Sequence, residues 1–293
     1  MKRLLFLLLF IPVLSFGQEV YTYGGDVVTY GGDAVRTAGF CAEYQAVYDA
    51  YTTKPDAATA AIWNTCVKTW VSNGEWATKD VIYVYAAHTN GAGEALINWK
   101  NPGTYDATAY NAPTFTANQG FLGNGTTQYI DCNWIPSSNG VNYLQNSASQ
   151  IIYMRTDIDA PGIHGIYGSA DSKNICVRQR YSDVARVMVN DGSLENGANP
   201  NGSGMYINTR TAAAVKALYK NKVAIVNGTV ASTGIPTHSP YCLAYNDDDE
   251  DKGWRADQVS LYAFGAGMTQ THVNNFTDPF ETAMDALGTG VIP

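Results

Sequence analysis

The chain has 293 residues with 18 basic and 26 acidic side chains, a formal charge of −8. An acidic chain without a Lys/Arg cluster excludes DNA and RNA as partners, because phosphate contacts dominate that affinity. Hydrophobic residues make up 45% of the chain, enough for a real core, and 28 glycines and 20 tyrosines beside only 15% charged residues favour strands and turns over helices.

Residues 1–17 read as a secretory signal peptide: Lys2 and Arg3, an apolar run from Leu4 to Leu14, then the small residues Ser15 and Gly17. The run is too short to span a bilayer, and no later segment approaches that length. The expectation is an exported protein without a transmembrane segment, on a virion, at a cell surface or free outside the cell. Removing Lys2 and Arg3 leaves 16 basic against 26 acidic residues.

Residues 18–36 contain the repeat Thr22–Val28, TYGGDVV, and Thr29–Val35, TYGGDAV. Two copies are too few for a solenoid, so the segment reads as a glycine-rich linker or small hairpin; a strand that pairs with a partner chain is the alternative. Across residues 37–78 the period changes to 3.6. Tyr44, Val47, Tyr48 and Tyr51 share one helical face, as do Ile62, Cys66 and Trp70, and Thr53 to Asp56 supply cap and proline between them. This predicts a helical hairpin. Five cysteines, an odd number, leave at least one unpaired. Cys41 and Cys66 are the disulfide candidates; two free cysteines behaving as small hydrophobes are the equal alternative.

Residues 79–293 predict a mainly β, antiparallel jelly-roll sandwich of the concanavalin-like kind with a C-terminal helical tail. Short β-branched and aromatic runs recur: Val81–Ala86, Gln128–Trp134, Gln150–Thr156, Gly162–Tyr167, Asn174–Arg180, Ala185–Val189, Met205–Asn208, Lys222–Val226, Thr229–Ser232, Tyr241–Asn246 and Gln258–Phe264. Asn227-Gly228 predicts a two-residue hairpin. After them Thr269 caps a helical stripe of Val273, Phe276, Phe280, Met284 and Leu287, which Pro279 is expected to split in two and Gly288 to stop.

Local motifs for catalysis are absent. The seven glutamates, at 19, 43, 75, 94, 195, 250 and 281, all lack an Asp two residues later, which excludes the Glu-x-Asp-x-x-Glu strand of lichenase-like glycosidases. There is no Gly-x-Ser-x-Gly elbow, phosphate-cradling loop or Cys-x-x-Cys pair, and His88, His164, His238 and His272 are scattered. Asp247, Asp249 and Asp251 imitate the start of a calcium loop, but Lys252 and Gln258 stand where its glycine and final glutamate would be. An exposed acidic loop is the competing reading.

Aromatic side chains remain. Sugar rings present apolar C–H faces that stack on Trp and Tyr while amides and carboxylates take the hydroxyls. The candidates for ligand contact are Trp134, Tyr143, Tyr167, Tyr181, Tyr206 and Trp254, with Asn142 and Asn146 near them in sequence.

From about Tyr44 to Val291 the order of features resembles phage structural proteins that contain a concanavalin A-like, laminin G-like jelly roll. The matching pieces are the hairpin ending in Val71, Gly74 and Trp76, the strand Val81–Ala86, and the phrase Gly120, Phe121, Gly123, Gly125, Tyr129, Ile130, Asp131. Further pieces are the turn Tyr143, Gln145, Asn146, the Asn227-Gly228 hairpin, and Ser260–Gly267 with its tail Ala283–Gly288. The leader ending, Leu14 to Gln18, is similar to those of Bacteroidota, which implies such a bacterium or its phage as source. The resemblance implies two antiparallel sheets, a non-enzymatic virion or adsorption role, a glycan or host surface receptor as partner, and contacts to other virion proteins or to itself. It supplies no catalytic residues. A secreted bacterial surface lectin is the alternative, followed by a polysaccharide hydrolase or lyase with dispersed active-site residues.

Overall fold

The structure is a computed structural model that describes residues 20–23, 26–29, 39–170 and 172–293. The expected signal peptide lies outside the described residues, as does most of the second repeat copy. The chain divides into two units, Met1–Phe40 and Cys41–Pro293. In the first, β1 (Val20–Tyr23) pairs antiparallel with β2 (Asp26–Thr29).

The second unit begins with α1 (Ala42–Ala50) and α2 (Ala57–Ser72), the expected hairpin, and these belong to the same compact unit as the sheets. Asp56 caps α2 by accepting from the Thr59 N–H at 2.7 Å. There follow β3 (Lys79–Val84), β4 (Thr108–Tyr110), β5 (Thr114–Thr116), β6 (Gly120–Leu122), β7 (Tyr129–Asp131), the short α3 (Pro136–Asn139), β8 (Ala148–Met154) and β9 (His164–Ile166). Next come β10 (Asn174–Tyr181), β11 (Val184–Asp191), β12 (Glu195–Ala198), β13 (Gly204–Ala212), β14 (Val215–Lys220), β15 (Val223–Gly228), β16 (Tyr241–Cys242), β17 (Tyr245–Asp247), β18 (Glu250–Lys252) and β19 (Gln258–Gly265). The chain closes with α4 (Gln270–Ala286).

Seventeen of these strands make two sheets. One has eight strands in the order β15-β14-β13-β8-β19-β6-β5, with β3 also on β19; the other has nine in the order β12-β11-β10-β9-β16-β7-β4, with the β17–β18 hairpin joined to β9. All pairs are antiparallel except β17 on β9. Inward residues of both sheets, among them Ile130, Ile152, Val177, Val187 and Tyr262, form one buried core, joined by Trp134 from the loop after β7. The stretch QGFLGNGTTQYIDCNWIP is the crossing between sheets: β6 lies in one, β7 in the other. Gly120 holds φ at +95°, and a Cβ there would sit 2.0 Å from the Val259 carbonyl oxygen, so only glycine fits.

The helices cover the outer face of the eight-stranded sheet. Trp70 of α2 stacks on Phe276 of α4 with ring centroids 4.5 Å apart, and Phe280 meets Tyr153 of β8 edge-on at 5.1 Å. Pro279 does not split α4, contrary to expectation. A proline removes the donor that the Asn275 carbonyl would use, and the Asn73 side-chain amide supplies it instead at 2.9 Å, while the Trp70 indole N–H donates to the Phe276 carbonyl at 2.9 Å.

One further expectation is corrected, and of the two readings of the cysteines the structure has the free thiols. Asn227-Gly228 lies within β15, paired to Ala217 and Lys216 of β14. The turn is Asn221-Lys222, with φ of +47° and +72°. A Cβ at Gly228 would meet the end of the Glu195 side chain, which would have to shift to admit it. Cys41 and Cys66 are both free thiols. The Cys41 N–H donates to Asn64 of α2 at 2.9 Å, and two residues along a helix turn by about 200°. Cys66 therefore faces away, toward Pro279 and Ala283 of α4.

Candidate functional site

The helices pack on the other sheet; on the outer side of the nine-stranded sheet Ile163, Cys176 and Met188 form a buried cluster with Tyr167, Leu194 and Tyr245, and the β4 edge carries a stack of tyrosines. Along β7, Ile130 points into the core, so Tyr129 and Asp131 point out. The register sets Tyr110 of β4 opposite Tyr129, and sets Thr108 and Tyr241 on either side of Asp131. Tyr110 stacks on Tyr129 at 4.6 Å with planes 7° apart, and Tyr129 leans on Tyr241 at 4.7 Å. Tyr110 is 40% exposed and stands on β4, the last strand of the sheet among the described residues.

Carboxylates fringe this stack. Asp131 accepts from the Ser239 hydroxyl and from the Asn133 N–H, the latter at 2.8 Å. Burial and then the nearby Asp249 charge still hold its carboxyl above the usual range, against those two hydrogen bonds. Burial, with Asp251, Tyr110 and Asp131 behind it, pushes the Tyr129 phenol up to about 12. The site thus offers apolar ring surface beside strong acceptors.

The acidic run does not build a calcium loop. It is the β17–β18 hairpin, with Asp248 and Asp249 at φ of +50° and +71°, positions that Asp and Asn tolerate better than most residues. Cross-strand pairing puts Asp251 opposite Asn246 and Asp247 opposite Glu250, so Asp251 and Asp247 lie on opposite faces. Asp247 accepts from Lys252 at 2.7 Å, Asp249 pairs with His238 at 3.0 Å, and Asp251 accepts from the Trp254 indole at 2.9 Å. Among the described residues no group of three His, Cys, Asp or Glu is placed to hold a metal ion.

The aromatic candidates named from sequence do not gather at one place. Trp134 and Tyr143 are in the core, which corrects their assignment to ligand contact: Trp134 packs on Phe264 and Tyr143, and the Tyr143 hydroxyl donates to Asn190 at 2.5 Å. Tyr206 is equally buried. Asn146 is exposed and accepts from the Ser232 hydroxyl at 2.6 Å, while Asn142 and its neighbours are ordered by the Asp80 carboxylate. Tyr167 is half-buried, edge-on to Tyr245 at 5.2 Å; Trp254 is half-buried beside Asp251; Tyr181 is 41% exposed on β10. Tyr110, Tyr129 and Tyr241 are not among the ligand-contact candidates that the sequence offers, although the alternation Tyr129, Ile130, Asp131 marks one outward face.

One constellation has the residue types of a nucleophilic triad. The Cys242 sulfur lies 3.9 Å from His164 Nδ1, and His164 Nε2 lies 3.2 Å from Asp257. It does not serve as one. All three are buried, His164 Nδ1 already accepts from the Leu243 N–H at 2.9 Å, and burial pushes the thiol well above its ordinary value. Asp257 instead neutralises Arg255, which also binds the carbonyls of Ile158, Ala160 and Gly162.

No family profile matches the chain, and no curated protein matches it. Solved structures do. A Trypanosoma rangeli sialidase in complex with sialic acid is similar over 76% of this chain and 39% of its own, at 10% identity and a TM-score of 0.49. The botulinum neurotoxin serotype D binding domain is similar over 69% and 52%, at 8% identity and a TM-score of 0.44. The K499G mutant of NanB sialidase from Streptococcus pneumoniae is similar over 53% and 27%, at 12% identity and a TM-score of 0.39. The chain thus spans between 27% and 52% of the length of these structures, and the likeness concerns the fold alone.

Proposed function

We propose that this chain is a non-enzymatic recognition protein that binds a neutral glycan on the outer face of its nine-stranded sheet. The observation that carries the reading is the Tyr110–Tyr129–Tyr241 stack with Asp131, Asp249 and Asp251 around it. The free side of the Tyr110 ring takes the apolar face of a sugar, and the carboxylates accept from its hydroxyls. Those same carboxylates repel an acidic sugar at this end. Affinity per site is low on such an open surface, and copy number raises it. The resemblance to phage structural proteins supports display on a virion as the source of that copy number, with adsorption as the outcome; a secreted bacterial lectin would use the same surface.

Cleavage is the second reading, and Asp131, with its raised carboxyl, is the group that would carry it as general acid. The test is a glycan array probed with residues 18–293, with product analysis on every glycan bound. Saturable binding that Tyr110→Ala and Tyr129→Ala abolish, without product, supports recognition. Product formation lost in Asp131→Asn would replace it with hydrolysis, and binding unchanged in both tyrosine variants would sink the site.

A further inference from the structure

At the opposite end of the same outer face, β10 and β11 place Arg178 directly across from Arg186. Their chain neighbours Val177, Ala185 and Val187 are in the core, so both arginines point outward. Like charges opposite each other on a sheet destabilise it unless something lies between them. Among the described residues no carboxylate forms an ion pair with either. Arg178 is only 6% exposed; its Nη1 donates to the Pro161 carbonyl at 3.3 Å, and its Nε and Nη2 are buried with no acceptor among the described residues. The Nε of Arg186 is buried and without an acceptor as well. Burial, followed by the charges of Arg186 and Arg255, pushes the Arg178 guanidinium below its ordinary value.

The neighbouring arginines show that this is not the general condition of the molecule. Arg180 pairs with Asp157 and Asp183 at 2.8 Å, Arg210 with Asp191 at 2.7 Å, and Arg255 with Asp257. At Arg178 and Arg186 the sheet sets two guanidinium groups side by side, and among the described residues three of their buried N–H nitrogens have no acceptor. A buried guanidinium recovers its lost solvation through charge-assisted bonds to an oxyanion, whose oxygens match the planar fork. Two features beside the pair extend the site. Tyr181 is 41% exposed with its ring centroid 5.1 Å from the Arg178 guanidinium carbon, and Asn196, on the edge strand β12, is the register partner of Arg186.

We propose that Arg178 and Arg186 bind the oxyanion of an acidic sugar, a sulfate ester or a uronate carboxylate, with Tyr181 against the sugar ring and the Asn196 amide at its hydroxyls. This site is independent of the tyrosine stack.

The test is calorimetric titration of residues 18–293 with methyl glucuronide, galactose 6-sulfate, inorganic sulfate and, as neutral control, methyl glucoside. Because Arg178 is buried, the variants are Arg186→Gln and the surface change Tyr181→Ala, each checked for an unchanged melting curve. The expected result is saturable binding of at least one charged sugar, tighter than sulfate and weakened by salt. That binding should fall at least tenfold in Arg186→Gln, fall less in Tyr181→Ala, and stay intact in Tyr129→Ala. Which charged sugar binds tells the sulfate ester from the uronate. Saturation by inorganic sulfate alone would overturn the sugar assignment. Binding indifferent to Arg186→Gln, or no saturation by any oxyanion, would overturn the site.

Discussion

The two ends of the outer face of the nine-stranded sheet use one local pattern to opposite effect. At the β4 edge, outward positions on neighbouring strands hold Tyr110, Tyr129, Tyr241 and Asp131, and the surrounding charges are carboxylates. Toward the β12 edge the equivalent outward positions hold Arg178, Arg186 and Tyr181, and the nearest acids are engaged elsewhere. A sheet face therefore does not have one chemistry. Charge is sorted along it strand by strand, and the two proposed sites would accordingly take different ligands.

The largest effect is expected at Arg255, which lies beneath the arginine end and supports the segment Ile158–Gly162. Arg255→Ala leaves Asp257 buried without its cation and should cost about 3–5 kcal/mol in a denaturant titration. A loss below about 1 kcal/mol would show that the network is not needed. The same network predicts acid sensitivity. Burial lowers the His164 value despite its bond to Asp257, so stability is lost as pH falls below the ordinary histidine value of 6.5. Burial opposes ionisation of Asp257, but His164 and Arg255 outweigh it and hold its carboxyl down; its contribution is complete above 3.8 and disappears at more acid pH. A flat stability profile between pH 7 and pH 3 would contradict both.

Next in size, Tyr129→Ala removes the middle of the stack and should weaken neutral-glycan binding by about 1–2 kcal/mol, tenfold or more, while leaving the arginine end unaffected. Equal losses at both ends would mean that the two sites are not separate. The smallest effect is expected from Asp131→Asn. Because the folded carboxyl is raised, the neutral form is the better fit, and wild-type stability increases as pH falls through that value. The variant should be somewhat more stable than wild type at neutral pH, lose that pH dependence, and bind the glycan about threefold more weakly, the size of one modest hydrogen bond. Thermal melts across pH read the first two, and the array reads the third.

Much of the architecture was legible. The 3.6 period of Tyr44, Val47, Tyr48 and Tyr51 became α1 and its end, and most of the short runs became strands, Thr229–Ser232 excepted, because burial of one face imposes the same period on sequence and structure. Long-range partners were not legible. Pro279 is tolerated in α4 because a side chain 202 residues away replaces the lost donor. Asn227-Gly228, a hairpin signal by itself, was overridden by its pairing with β14 and the approach of Glu195. The free thiols of Cys41 and Cys66 follow from which side of α2 each neighbour occupies.

By itself, then, the amino-acid order determined the acidic charge, the sandwich, the helical hairpin and the absence of any local catalytic motif, all consequences of composition and short-range periodicity. Tertiary structure decided which rings meet solvent. Tyr129 and Trp134 stand five residues apart in one stretch, yet the first lies on the outer face and the second is sealed against Phe264 and Tyr143. Register also brought Arg178 opposite Arg186, with no ion pair from either to an acid among the described residues. Periodicity says that a side chain leaves one face of a strand; only the packing of both sheets and the helices says whether that face is core, covered or open.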